Sequence, residues 1–476
     1  MQTSGVAGGA RKSVATIGVV AVTAIIMGNM IGAGIFTIPQ QIAGYGWWGV
    51  VAFVFTAVGA LLLGLVFARL ARRIPKTGGP YAYTRAAFGD FAGFWIAWGY
   101  WIGMWTGQVA IAVTFSNYVG VFIKPFSTSL LWNAVLAVGI VWVVTGINLR
   151  GVKTAGSVAV VTTIIRVIPL LAIATVGWLY FHPSNFAATP AGDNSILGAV
   201  GAAAVITLFS FLGLESGTVP AGNVRDPSRT IPRATVIGIL AVAALYIVST
   251  TVVMGVMPAA ELSSSTASFA DAGRVMWGNV GYYSVAFAGV VSTLGALSGF
   301  TLLNGQVPFA AAADRLFPKA FAKENRFGAP GFGIAASSIL VTAMLLILYV
   351  YASLAWQGTG AQTRGIVNAS ILLATLTTVL PYAFCSVAEL ILVFCSRDFT
   401  GKGVARLLII PTLAFLYSLF MMYGSGPSAI TAGFFLMLIG LPVYALLRRS
   451  SWKDDWEPAS PSPVAGVPEP TLPETR

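Results

Sequence analysis

Gly28-Asn29-Met30-Ile31-Gly32-Ala33-Gly34-Ile35-Phe36 decides the reading of this chain, because it sets three glycines and an asparagine inside an otherwise apolar run. That run covers roughly 16–44, more than the ~20 residues needed to cross a ~30 Å hydrocarbon core. The cluster falls near its middle. A single glycine there would say little, since small residues let membrane helices approach closely. Clustered beside an asparagine, they predict that the helix unwinds at mid-depth. Unwinding frees backbone N–H groups at the start of a second half-helix, and such groups, together with the dipole end, bind a carboxylate. The packing alternative, a small-residue stripe pressed against a neighbouring helix, stays open at this point.

Outward from that segment the same apolar character recurs. About twelve stretches are long enough to span a bilayer, at roughly 16–44, 48–73, 91–122, 130–149, 156–181, 196–219, 232–257, 280–310, 332–354, 365–395, 404–423 and 426–447. Of the 476 residues, 57% are hydrophobic and 9% charged, against about a quarter charged in soluble domains. Lipid is therefore the expected surrounding, and no soluble domain fits between the spans. The first run is too long and too glycine-rich for a cleaved signal peptide. From Ser450 the sequence turns to Pro, Glu and Ser, a composition expected to stay disordered. The expected division is a cytoplasmic segment 1–15, a ten-helix membrane core 16–395, two additional spans within 396–448 and a cytoplasmic tail 449–476.

The net charge of +12 reads through its placement. With the N-terminus set in the cytoplasm, 23 of the 27 Lys and Arg residues fall at cytoplasmic ends. Lys124, Arg274 and Arg364 lie on the other side, and Arg166 lies within a span. This positive-inside bias puts both termini in the cytoplasm of a multi-pass inner-membrane protein, and no nucleic-acid partner is implied. Cys385 and Cys395 lie ten apart on or near one span, which argues against a disulfide framework. His182 stands alone, so no metal or cofactor is expected.

The sixth stretch carries a second break signal, Ser210-Phe211-Leu212-Gly213-Leu214-Glu215-Ser216-Gly217. Two interrupted spans five apart point to an inverted-repeat transporter, in which broken helices face one another across a central site. Freed amides of one break suit a carboxylate and freed carbonyls of the other suit an ammonium; an amino acid carries both. Glu215 costs about 2.5 kcal/mol or more at mid-depth, so it reads as functional, with the capping of freed amides as the structural alternative. Arg166 is the lone basic residue deep in a span and requires a partner or a cage of carbonyls. Glu389 is open between a functional role and a simple reach to the interface. Trp47, Trp48, Trp95 and Trp98 read as an interfacial belt. Tyr100, Trp101, Phe209 and Phe300 sit nearer mid-span, where a ring can close over substrate or meet a cation through its face.

These features, with Pro75-Lys76-Thr77-Gly78-Gly79-Pro80-Tyr81-Ala82-Tyr83, Asn223-Val224-Arg225-Asp226-Pro227-Ser228-Arg229 and Ala311-Ala312-Ala313-Asp314-Arg315-Leu316-Phe317-Pro318, give the chain a resemblance over roughly 16–448. It resembles the amino acid–polyamine–organocation superfamily, and within it the basic amino acid/polyamine antiporters such as the arginine/agmatine antiporter. The resemblance implies an all-α membrane protein with a five-plus-five inverted repeat, discontinuous first and sixth helices, and alternating access. It also implies that the substrate carboxylate meets Ile31, Gly32, Ala33 and Gly34, that Asn29 lies close by, and that the α-amino group meets carbonyls around Phe209 and Leu212. Tyr100 and Glu215 match an outer-gate tyrosine and a glutamate linking gating to protons. Arg166 matches a lysine that fills a sodium position in proton-coupled relatives; because an arginine does not release its proton at usable pH, it is expected to be a fixed structural cation.

Departures narrow the substrate. Relative to the arginine/agmatine antiporter, Ala33 replaces a serine, Phe209 and Phe300 replace two tryptophans, Gln108 replaces an asparagine near the side-chain pocket and Met104 replaces a cysteine. Phenylalanine offers a weaker cation–π face than tryptophan, which argues against strict arginine specificity. The leading expectation is an exchanger of amino acids or their amine products. Behind it stand a proton-coupled importer or exporter of a neutral amino acid, and then a membrane sensor or scaffold with no transport cycle. A membrane enzyme is disfavoured, since no nucleophile–base pair or metal cluster is visible. The expected partners are a small-molecule substrate and the lipid bilayer, with a homodimer left open.

Overall fold

The computed structural model describes residues 18–74, 78–151, 155–186, 196–218, 224–395 and 404–455. The expected N-terminal segment, the tail beyond 455, Pro75 to Thr77 and Asn223 lie outside the described residues. The rest is a helical bundle. Eight helices are each long and apolar enough to cross a bilayer, and the bent pair Val19–Met30 and Ala33–Tyr45 makes a ninth crossing. Asp90–Val119, Ala155–Val176 with its 3-10 extension to Tyr180, and Ile196–Leu208 continuing through Phe211 complete about twelve spans.

The order follows the sequence reading closely. The second span is Trp47–Arg73, the third Asp90–Val119, the fourth Leu130–Leu149, the seventh Pro227–Val256, the ninth Gly331–Ala355, the tenth Thr359–Phe394 and the eleventh Val404–Gly424. The eighth occupies most of Ser268–Ala313, whose backbone leaves helical geometry at Trp277 and at Gly278, where φ is 63°. That kink separates an outer segment, packed on Phe36 through Ser268 Oγ to the Phe36 carbonyl (3.3 Å), from the crossing itself. The twelfth comprises Gly426–Leu438 and Gly440–Asp455, so its helix runs past the boundary at 448 expected from composition.

Large apolar side chains line the outside of the bundle: Leu179 and Leu354 are each 82% exposed. Such a girdle marks a lipid-facing surface, since soluble monomers rarely expose apolar patches this extensive. Inside, small residues set the helix spacing, as in membrane bundles generally.

Candidate functional site

Helix one stops because its backbone turns out of helical geometry at Ile31 (φ −74°, ψ 80°). Gly32 follows, extended at φ −127°, ψ −140°, before the second half-helix opens at Ala33. The two halves are bent by 41°. The first N–H groups of that second half, at Ala33, Gly34 and Ile35, have no intrahelical acceptor. At the other side of the break, the carbonyls of Gly28, Met30 and Ile31 lose their helical donors and find others. Arg166 Nη1 donates to Gly28 O at 2.7 Å and to Ile31 O at 2.5 Å. Tyr246 donates to Met30 O at 2.7 Å, and Ser292 to Ile31 O at 3.3 Å. The carbonyl cage required by a buried guanidinium is thus the C-terminal end of a half-helix.

The sixth span behaves differently in its second half. Its α-helix ends at Leu208, a 3-10 turn covers Phe209–Phe211, and Leu212–Thr218 forms successive turns rather than a helix. Amides of Leu214, Ser216 and Thr218 donate to the carbonyls three residues back, at 3.2, 2.9 and 2.8 Å. Gly213 has φ +98°, a conformation that glycine adopts at no steric cost. A Cβ there would lie 3.1 Å from Asn29 Cβ, and one on Gly34 would lie 2.7 Å from Ser210 Cα. The two breaks are therefore pressed against each other backbone to backbone.

Between them and the eighth span lies a cavity lined by Asn29, Met30, Gly32, Ala33, Gly34, Ile111, Phe209, Leu212, Ala296 and Phe300. Its free space is about 10 Å³, room for about one water molecule. The Phe209 and Phe300 rings both close on Gly107, where an added Cβ would sit 3.6 and 3.5 Å from them. Asn29 is the polar side chain of this lining, and its Oδ1 faces Gly299 so closely that a Cβ would come within 2.6 Å.

Of the residues singled out in the sequence, Asn29, Gly32, Ala33, Gly34, Phe209, Leu212 and Phe300 are brought together here. Ile31 contributes its carbonyl to Arg166 instead. Met104 is fully buried and stands outside the lining. Gln108 turns to the eighth span: its Nε2 donates to Thr301 Oγ1 at 2.6 Å and its Oε1 accepts from Asn304 at 2.7 Å. Trp101 packs among Trp98, Phe317 and Phe321, its Nε1 on Ser337 at 2.8 Å. Met30, Ile111 and Ala296 join the lining without a signal in the sequence, because an apolar residue in an apolar span does not reveal which way it faces.

Glu215 is completely buried. Tyr100 donates to its Oε1, and Tyr382 to its Oε2 at 2.6 Å. The carboxylate thus joins the third, sixth and tenth spans. Tyr382, a lone tyrosine in an apolar stretch, escaped the sequence reading. Glu389 is also buried and pairs with Arg69 at 3.2 Å, which ties the tenth span to the second.

A polar cluster lies at one end of the bundle. The helix Pro80–Phe88 presents Tyr81 and Arg85 to Asp314 at the end of the eighth span: Tyr81 donates to the carboxylate, and Arg85 Nη1 pairs with it at 2.7 Å. Arg85 Nε also pairs with Asp90 at 2.8 Å. Burial, then the neighbouring Asp314, holds the Tyr81 phenol above its ordinary value and so protonated. Two stretches that carried the resemblance, at 78–83 and 311–315, meet in this cluster, with Arg85 and Asp90 beside them.

A bundle of about twelve crossings, with two broken spans facing a shared buried cavity, defines a multi-pass membrane transporter of the secondary type. The amino acid permease family model matches residues 17–447, and the chain belongs to that family. It is 29% identical over 433 residues to the putrescine transporter PotE of Escherichia coli K12, covering 90% of this chain and 96% of the relative. It is similarly 29% identical over 437 residues to the cadaverine/lysine antiporter of the same organism, covering 91% and 95%. With the arginine/ornithine antiporter of Pseudomonas aeruginosa it shares 31% over 418 residues, 85% of each chain. These relatives are transporters, two of the three exchangers by name.

Proposed function

We propose that this chain exchanges one amino acid for another, or for its amine product, across the cytoplasmic membrane, with both termini on the cytoplasmic side. The observation that carries the reading is the meeting of two half-helix breaks at one cavity. The free amides of Ala33 and Gly34 are positioned to take a carboxylate, and the turn at Phe209 to Leu212 to take an amino group. Exchange follows from the fixed cation: Arg166 holds the first break in place of a dissociable ion, so the return of the empty protein is not driven by one, and a counter-substrate drives it. Arg166 therefore acts as structure, Glu215 with Tyr100 and Tyr382 as a gate, and Asn29, Phe209 and Phe300 as the walls. The core of ten spans does this work, and the last two flank it.

A cavity this small admits substrate only when the spans part, as alternating access requires. The second reading, proton-coupled movement of a neutral amino acid, is favoured by one observation: the lining holds a single polar side chain, Asn29, and no acid to meet a second ammonium. Counterflow in proteoliposomes separates the two. Uptake of labelled lysine, ornithine, putrescine, cadaverine or a neutral amino acid should rise at least tenfold when unlabelled substrate is loaded inside. Uptake driven equally well by an imposed pH gradient into empty vesicles would instead select the proton-coupled reading.

A further inference from the structure

Between the fourth and ninth spans, away from the central cavity, an open groove of about 950 Å³ lies at the end of the bundle that carries most of the basic residues. Arg150, Lys323 and Arg326 line it, against one acid, Glu324. All three cations are exposed, and among the described residues none of them has an ion-pair partner; Arg326 rests its guanidinium 4.7 Å over the Phe327 ring. The loop that carries two of them is fixed. Asn325 Nδ2 donates to Leu149 O at 2.6 Å, while its Oδ1 accepts the amides of Phe327 and Ala329 at 2.9 and 3.1 Å.

The groove's other wall is apolar. Phe327 and Phe332 are about half exposed, and Gly146 lines the same groove with no atom within 4 Å of where a Cβ would stand. Above that notch the outer faces of the two spans, Val143, Ile147 and Ile339, are all more than half exposed. A site with preorganised cations at one end and a smooth, notched apolar track at the other fits a ligand with a charged head and a long hydrocarbon tail. A soluble anion would leave the track unused, and an acidic protein would not need it.

From this we infer that the groove binds an anionic phospholipid of the cytoplasmic leaflet, its phosphate among Arg150, Lys323 and Arg326 and one acyl chain lying over Gly146. Basic pockets between spans on that side of a membrane select such headgroups, each cation near the surface contributing about fivefold in affinity. The inference uses the side assignment given under the proposed function. Its test does not, since binding is read without transport.

Delipidated full-length protein in detergent is titrated with dioleoylphosphatidylglycerol or dioleoylphosphatidylcholine, and bound lipid is counted by native mass spectrometry. The phosphatidylglycerol is expected to bind at least tenfold tighter. That preference should fall about fivefold in Lys323→Gln and disappear in Arg150→Gln/Lys323→Gln/Arg326→Gln, while Lys124→Gln/Arg229→Gln/Lys319→Gln keeps it. Melting curves identify any variant that fails to fold, and the single Lys323→Gln change then carries the comparison. Equal preference in the site and control variants overturns the inference, as does displacement of the lipid by inorganic phosphate at comparable concentration, which would assign the cations to a free anion.

Discussion

Arg166 and Glu215 are both sealed from water, but they are stabilised in opposite ways. The arginine is held by backbone carbonyls that the first break sets free, so its charge completes a helix end, much as a cation does at any helix C-terminus. Removing it should leave the Gly28 and Ile31 carbonyls buried without those donors, at about 1–3 kcal/mol each. Arg166→Leu is therefore expected to lower the melting temperature measured in detergent by several degrees and to abolish exchange, with Arg166→Lys intermediate because one ammonium replaces a planar fork. A melting curve identical to that of the parent would refute the carbonyl-holding role. The glutamate is held by side chains, two tyrosines on two other spans. Those contacts are expected to act as a unit: Tyr382→Phe and Glu215→Gln should each slow exchange by at least tenfold, and the double variant should be little slower than Glu215→Gln alone. Fully multiplicative losses in that cycle would mean that Tyr382 acts elsewhere.

The elements that matter are the two interrupted spans, and the sequence made their location legible through glycine clusters in otherwise apolar runs. It did not make their form legible. The first break is a bend of two residues between helices, whereas the sixth span continues as turns from Leu212 to Thr218, and nothing in Gly213-Leu214-Glu215-Ser216-Gly217 distinguishes a half-helix from a chain of turns. Charged residues in apolar runs, Arg166 and Glu215, were readable one at a time, because burying a charge needs a reason. Their partners were not: Tyr382 lies 167 positions from Glu215, and Thr301 and Asn304, which engage the Gln108 amide, lie 193 and 196 positions from it. At this scale Gly213 is the sensitive point. Its positive φ costs an L-residue about 1–2 kcal/mol, and an added methyl also meets Asn29. Gly213→Ala should reduce both thermal stability and exchange, whereas Gly139→Ala, where a Cβ meets nothing within 4 Å, should leave exchange intact and stability equal or slightly higher. Matching losses in the two variants would remove the special role of the turn.

For the molecule as a whole, transport requires the closed bundle to open at alternate ends, and the cluster of Tyr81, Arg85, Asp90 and Asp314 is expected to hold one end shut. The helix Pro80–Phe88 is joined to the tenth span beneath it by a native thiol: Cys385 is fully buried, with its Sγ 3.5 Å from the Pro80 carbonyl and 3.9 Å from Thr84 Oγ1. Lifting that helix is what would uncover Cys385, so the thiol reports on this closure. The Arg85 and Asp314 side chains are 32% and 47% exposed, and a pair that exposed contributes only about 0.2–1 kcal/mol and is weakened by salt. In protein carrying Cys395→Ser, Asp314→Asn should therefore speed maleimide labelling of Cys385 up to about fivefold. High salt should speed labelling of the parent while changing the Asp314→Asn protein less, since the variant has already lost the pair that salt screens. Saturating substrate should alter the labelling rate in both proteins, because binding redistributes the open and closed forms. If Cys385 reacted at one rate in all of these conditions, the helix Pro80–Phe88 would be a fixed part of the scaffold, and the closure of that end would have to be sought along the tenth span itself, at the Arg69–Glu389 pair.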